Sequence, residues 1–85
     1  MKKFIIEDEN EGLMKLLGER VTIFCMNYIY TGKLIGVNET CVLLEKPEIV
    51  YETGSFEEKE WKDAQKLPHN WYVAINSIES FGILK

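Results

Sequence analysis

The sequence predicts a mostly β fold: a small, strongly bent antiparallel barrel of five strands preceded by an N-terminal α-helix. Three observations carry that expectation. At Arg20 the apolar pattern changes from a helical period to simple alternation. From there, short strand-like runs follow one another with only brief polar turns between them. Finally, Gly32 and Gly36 sit inside a run that otherwise reads as strand. Glycine weakens a flat strand but lets a barrel strand bend where no Cβ can fit.

The elements follow in order. After a short apolar arm, Leu13, Leu16 and Leu17 share one helical face, which predicts a helix over about residues 9–17. Asp8 or Asn10 can cap its start and Gly18 can end it. The first strand starts at Arg20, with Val21, Ile23 and Cys25 on one side and Thr22, Phe24 and Met26 on the other. Asn27 turns the chain into a second strand, 28–37, and Asn38-Glu39-Thr40 turns it again. The third strand runs from Cys41 to Pro47, where proline limits further pairing. Residues 48–52 read either as its continuation or as a separate short strand. Ser55-Phe56-Glu57-Glu58 has the form of a capping box, so the variable segment 53–70 is either a short helix over 54–66 or a long polar loop. Trp71–Ile75 is the fourth strand, Asn76-Ser77 a turn, and Ile78–Leu84 the fifth strand.

Length and composition narrow the functional classes. The 85 residues suffice for a single domain, 1–85, and domains of this size often gain stability by association. No apolar run approaches the ~20 residues that span a bilayer, and Lys2-Lys3-Phe4-Ile5-Ile6 meets Glu7-Asp8-Glu9 too soon for a signal peptide. A cytoplasmic protein without membrane contact is therefore expected. Cys25 and Cys41 match no zinc spacing and read as two buried thiols. The net charge of −4 counts against nucleic acid as a partner unless a local basic patch exists.

Several segments resemble the Sm and Sm-like family, in the manner of a divergent bacterial or phage-type member. These are Gly18-Glu19-Arg20-Val21-Thr22-Ile23, then Tyr30-Thr31-Gly32-Lys33-Leu34-Ile35-Gly36-Val37-Asn38, then Val42-Leu43-Leu44, which are similar to the first Sm motif. Ala74-Ile75-Asn76-Ser77-Ile78 is similar, more loosely, to the second. Together they span roughly half of the chain. The resemblance implies a homo-oligomeric ring of about five to seven subunits, in which strand four of one copy pairs with strand five of the next and no sheet edge is left open. It places the subunit interface at Trp71, Val73 and Ile75 and at Ile78, Phe81 and Ile83. It also implies single-stranded RNA as a ligand, at Asn38 and Thr40 in one turn and Asn76 and Ser77 in another. Asn38 matches the family position that orders its turn. The chain departs from the family at two contacts: Thr40 stands where a flat stacking platform would help, and nothing between Trp71 and Glu79 is basic. A ring that binds a protein partner or serves as a structural component is the alternative.

The remaining chemistry-bearing residues have plainer readings. His69, the single histidine, has no partners at catalytic or metal-ligand spacing, so no enzyme, metal or cofactor is expected. Glu57-Glu58-Lys59-Glu60 and Asp63 read as a solvated face, or as an acidic rim for a basic protein or cations. Trp61 stands in that charged stretch and is expected to lie against its own barrel or a neighbouring subunit. Tyr28 and Tyr30 offer stacking surfaces or barrel packing. Lys2, Lys3, Lys15 and Arg20 form a modest basic patch near the helix.

Overall fold

The computed structural model describes residues 2–6, 8 and 10–85. It is a mostly β structure with one short helix, α1 (Gly12–Lys15), and six strands: β1 (Arg20–Cys25), β2 (Ile29–Val37), β3 (Cys41–Glu52), β4 (Asp63–Lys66), β5 (Trp71–Ala74) and β6 (Ile78–Gly82). A single 3-10 turn, Ile75–Ser77, joins the last two. All pairings are antiparallel, in the order β4-β3-β2-β1-β6, with β5 also on β3. Six strands replace the five expected, and no ladder among the described residues closes the sheet on itself.

The helix is a single turn and not the 9–17 segment expected; Glu9 lies outside the described residues. Left-handed glycines bracket it, Gly12 at φ +70° and Gly18 at φ +90°, and a right-handed helix cannot run through them. Asp8 caps the turn before it, accepting from Asn10 N–H at 2.8 Å, while Glu11, the N-cap residue of α1, makes no side-chain cap bond. Leu13 is buried and Leu16 half-buried on the core, but Leu17, past the helix, is exposed. Gly18 N–H and Leu34 N–H tie this segment to β2, bonding Leu34 O at 2.7 Å and Glu19 O at 2.9 Å.

The core is made by the alternating faces of the strands. Leu13, Val21, Ile23, Leu34, Val42, Leu44 and Val73 are buried together, with Cys25, Tyr30, Val37, Ile75 and Ile78 packed against them. Each such aliphatic side chain stabilises the fold by about 1.5–3 kcal/mol. Two threonines paired across β1 and β2 are also buried, Thr22 on the face of β1 opposite to Val21 and Ile23. Thr31 Oγ1 donates to Val21 O at 2.9 Å, whereas Thr22 Oγ1 has no partner among the described residues.

The middle of β3 is kinked, and a second register shift in the β2–β3 ladder lies between Leu34 and Gly36. β3 runs unbroken through Pro47, so proline does not end the pairing as expected. The β2–β3 register slips between Thr31 and Lys33, leaving Lys46 and Pro47 in a bulge opposite Gly32. Pro47 therefore withholds no ladder donor, because its position is the unpaired one. Lys46 takes a left-handed φ of 49° to make the kink. Gly32 is needed there: a Cβ on it would lie 3.1 Å from Leu44 Cβ and 3.2 Å from both Glu45 O and Pro47 Cα.

On either side of the kink, the outer flank of β3 has a different neighbour. Its first half pairs with β5, Cys41 opposite Ala74 through Leu44 opposite Trp71. Its second half pairs with β4, Glu48 opposite Lys66 through Glu52 opposite Asp63. The 54–66 segment is thus neither helix nor plain loop. Ser55 makes one turn, accepting from Glu58 N–H at 3.1 Å, after which the chain returns as a strand.

Candidate nucleic-acid interface

The β2–β3 turn is organised by one side chain. Asn38 Oδ1 accepts from Thr40 N–H at 2.8 Å, Cys41 N–H at 2.9 Å and Thr40 Oγ1 at 3.0 Å. Asn38 N–H in turn donates to Cys41 O at 3.0 Å. This is an Asx turn, in which a short side-chain carbonyl replaces a strand's missing acceptors. An alanine here would leave two backbone donors to water.

The second polar turn adjoins the first. Ile75 N–H donates to Thr40 O at 2.8 Å, extending the β3–β5 ladder to the start of the 3-10 turn. Asn38, Thr40, Asn76 and Ser77 are all exposed, and the structure brings their two turns side by side. A third turn joins them, since Met26 N–H bonds Ser77 O at 3.2 Å. Around Ser77 a small cleft of about 200 Å³ is lined by Met26, Tyr28, Tyr30 and Tyr72. Tyr28 and Tyr30 meet edge-to-face with centroids 6.4 Å apart. Tyr28 is exposed, and burial, aided by Cys25, Tyr28 and Tyr51, raises the Tyr30 phenol above its ordinary range. Sequence reading missed Tyr72, although strand alternation places it opposite to buried Val73. Exposed tyrosines beside a polar turn are the flat surfaces on which unpaired bases stack.

The basic patch expected near the helix is divided. Lys3 and Lys15 line an open cleft of about 880 Å³ with Asn38, Glu39, Ile75 and Phe81. Lys3 is held by Glu11, and that bond, reinforced by Ile6 N–H, keeps the Glu11 carboxyl below the usual carboxylate range. Arg20 lies in another cleft, paired with Glu48 at 2.7 Å. No Lys or Arg lies in either polar turn.

The six residues expected at a subunit interface differ in exposure. Val73 is 4% exposed and belongs to the chain's own core, as do half-buried Ile75 and Ile78. The Val73 side chain is therefore turned inward, while Ile75 and Ile78 keep partial exposure and line the open cleft beside Phe81. Trp71, Phe81 and Ile83 face outward, 40%, 40% and 60% exposed. Among the described residues β5 pairs only with β3, and β6 only with β1, so each presents an open edge.

Other sequence candidates have local explanations. Trp61 is half-buried under the Lys85 ammonium, 4.7 Å from its ring centroid. Cys25 and Cys41 are half-buried free thiols, and burial raises the Cys25 pKa. Among the described residues no group of three or more His, Cys, Asp or Glu side chains could hold a metal ion, and no helix is long and apolar enough to cross a membrane. Comparison with protein-family models and with curated proteins returns no match to this chain.

Proposed function

We propose that this chain is the subunit of an Sm-like homo-oligomeric ring that binds single-stranded RNA weakly, through the paired 38–40 and 75–77 turns. The observation that carries the reading is the Ile75–Thr40 bond, which makes one exposed polar surface of two turns distant in sequence. The element order supports it. A helix precedes the strands, β5 and β6 stand for the family's fourth and fifth strands, and β4 is an addition within the variable segment. The open edges of β5 and β6 suit pairing between copies, which would complete a barrel-like closure that one chain lacks. Trp71, Phe81 and Ile83 would then lose their exposure.

Binding is expected to be weak because neither turn carries a cation, so base stacking on Tyr28 and Tyr72 and amide contacts from Asn76 must supply the affinity. Light scattering tests the ring: about five to seven copies are expected, and a monomer at ~100 µM would remove it. Fluorescence anisotropy with oligo-U and oligo-A tests the ligand. Absence of binding to either at ~50 µM protein and low salt would refute RNA contact, since even non-specific affinity lies in that range. In that case the acidic balance of the chain favours the second reading, a ring that docks a protein partner.

A further inference from the structure

We infer that the chain carries a second, separate ligand surface: a basic groove along the start of β1, the kink of β3 and β4, which takes the phosphodiester backbone of a single-stranded nucleic acid. The groove consists of two adjoining clefts of about 630 and 480 Å³ that share Arg20, Glu48 and Lys66. The first adds Lys46 and His69 around Pro47 and Pro68. The second adds Lys59, Lys62 and Lys85 beside Trp61, with Glu60 and Asp63.

The charge distribution is the core of the case. These clefts hold six of the ten Lys and Arg side chains but only three of the fourteen carboxylates. The rest of the chain is correspondingly acidic, so a polyanion has one favourable place to approach. Some of the six charges are engaged: Lys62 pairs with Glu52 at 3.1 Å, and Arg20 with Glu48. Lys85 is engaged differently, donating to the carbonyls of Thr53 (2.8 Å), Ser55 (2.8 Å) and Glu60 (3.1 Å). Carbonyls fix the ammonium without cancelling its charge. Lys46, Lys59 and Lys66 are exposed and have no ion pair among the described residues.

The cations are strung along two clefts and do not converge on one point, which suits successive phosphates better than one compact anion. Trp61 on the groove wall is half-buried with Lys85 over its ring, and its remaining exposed part offers an aromatic contact to an unstacked base, which a duplex does not present. None of the residues in the 38–40 and 75–77 turns lines these clefts, so the groove does not depend on those turns or on a ring.

The test is anisotropy with labelled oligo-U and oligo-dT at 50 and 200 mM salt. The proteins are wild type, a Lys59→Gln/Lys66→Gln variant and an Asn76→Ala/Ser77→Ala variant, each checked for native circular dichroism. Four phosphates engaged by Lys46, Lys59, Lys66 and Lys85 would give a salt slope of about −2.8, an affinity loss of ~50-fold across that range. The lysine variant should bind more weakly at 50 mM, with a slope near −1.4 and a loss of only ~7-fold. Both oligonucleotides should bind; a preference for RNA above ~10-fold would contradict backbone recognition. A lysine variant with wild-type affinity and slope overturns the groove. If the Asn76/Ser77 variant alone loses affinity, the turn surface stands and the groove falls. The converse result upholds the groove and removes the turns. Failure of wild type to bind either strand at 50 mM overturns both.

Discussion

Substituting Gly32 and Gly36 by alanine, one at a time, separates two positions that look alike in sequence. Both glycines lie in β2, but they face different obstacles. At Gly32 the new Cβ meets Leu44 Cβ at 3.1 Å, Glu45 O at 3.2 Å and Pro47 Cα at 3.2 Å. Carbon pairs prefer about 3.5–4.0 Å, and two of these three neighbours are backbone, which can yield only by opening the β2–β3 ladder at the kink. Overpacking of this kind costs about 1–3 kcal/mol, from which the reduced chain entropy of alanine recovers ~0.5–1 kcal/mol. Taking the middle of each range, the net loss for Gly32→Ala is about 1.3 kcal/mol, or a melting temperature lower by ~5–10 °C for a domain of this size. At Gly36 the only close atoms are Leu43 Cβ at 3.3 Å and Leu43 Cδ2 at 3.9 Å. Only Leu43 Cβ is tight, by a few tenths of an ångström, a small cost that the lower chain entropy of alanine offsets, so Gly36→Ala should be neutral within about 0.5 kcal/mol. Urea and thermal melts at one fixed protein concentration read both, the fixed concentration holding any assembly contribution constant. Equal losses at the two sites, or a Gly32→Ala variant as stable as wild type, would refute the account of the bend.

Other substitutions test single contacts. Asn38→Ala removes three accepted hydrogen bonds at an exposed turn and should cost about 1–2 kcal/mol in a urea melt, whereas Asn38→Asp keeps the acceptor and should cost less than half as much. Thr22→Val and Thr31→Val form an opposed pair. The first deletes a buried hydroxyl without a partner and should be neutral or stabilising by up to ~1 kcal/mol, while the second strands Val21 O and should cost about 1–3 kcal/mol. Glu11 gives a pH signature. Its folded pKa lies below its ordinary value of 4.5, so the Lys3 contact stabilises the fold above that value and is lost as pH falls through the lower folded pKa. A carboxyl NMR titration should show the depression, and Lys3→Ala should return Glu11 toward 4.5.

The parts of the fold legible in sequence are those specified by local pattern. Alternation at Val21, Ile23 and Cys25 fixed a strand with one face on the core, and Asn38 announced an Asx turn that the structure contains. Illegible parts depend on distant neighbours. Asp63-Ala64-Gln65-Lys66 contains no residue that favours strand, and it is extended only because the end of β3 pairs with it. Leu13, Leu16 and Leu17 spelled a longer helix, but two glycines with positive φ cut it short. Pro47 looked like a terminator because nothing nearby in sequence reveals that Gly32 leaves room for a bulge. At the candidate site, the turn residues were named from the chain alone. Their adjacency, and the presence of Tyr72 near them, follow from the β3–β5 ladder. The basic groove escaped notice for the same reason: Arg20, Lys46 and Lys66 are far apart in sequence and gather only where β1, β3 and β4 meet.

The left-handed Lys46 and the bulge around it do more than bend a strand. They divide the outer flank of β3 between two tenants, β5 before the kink and β4 after it. Because the ladders share no residue, the 53–66 hairpin can be lengthened, trimmed or exchanged while the 41–44 pairing, and with it the Thr40–Ile75 joint, keeps its register. Variation is thereby channelled into the half of the strand that bears the groove, leaving the half that bears the turns constant. One half of the strand can in this way change its surface without disturbing the other.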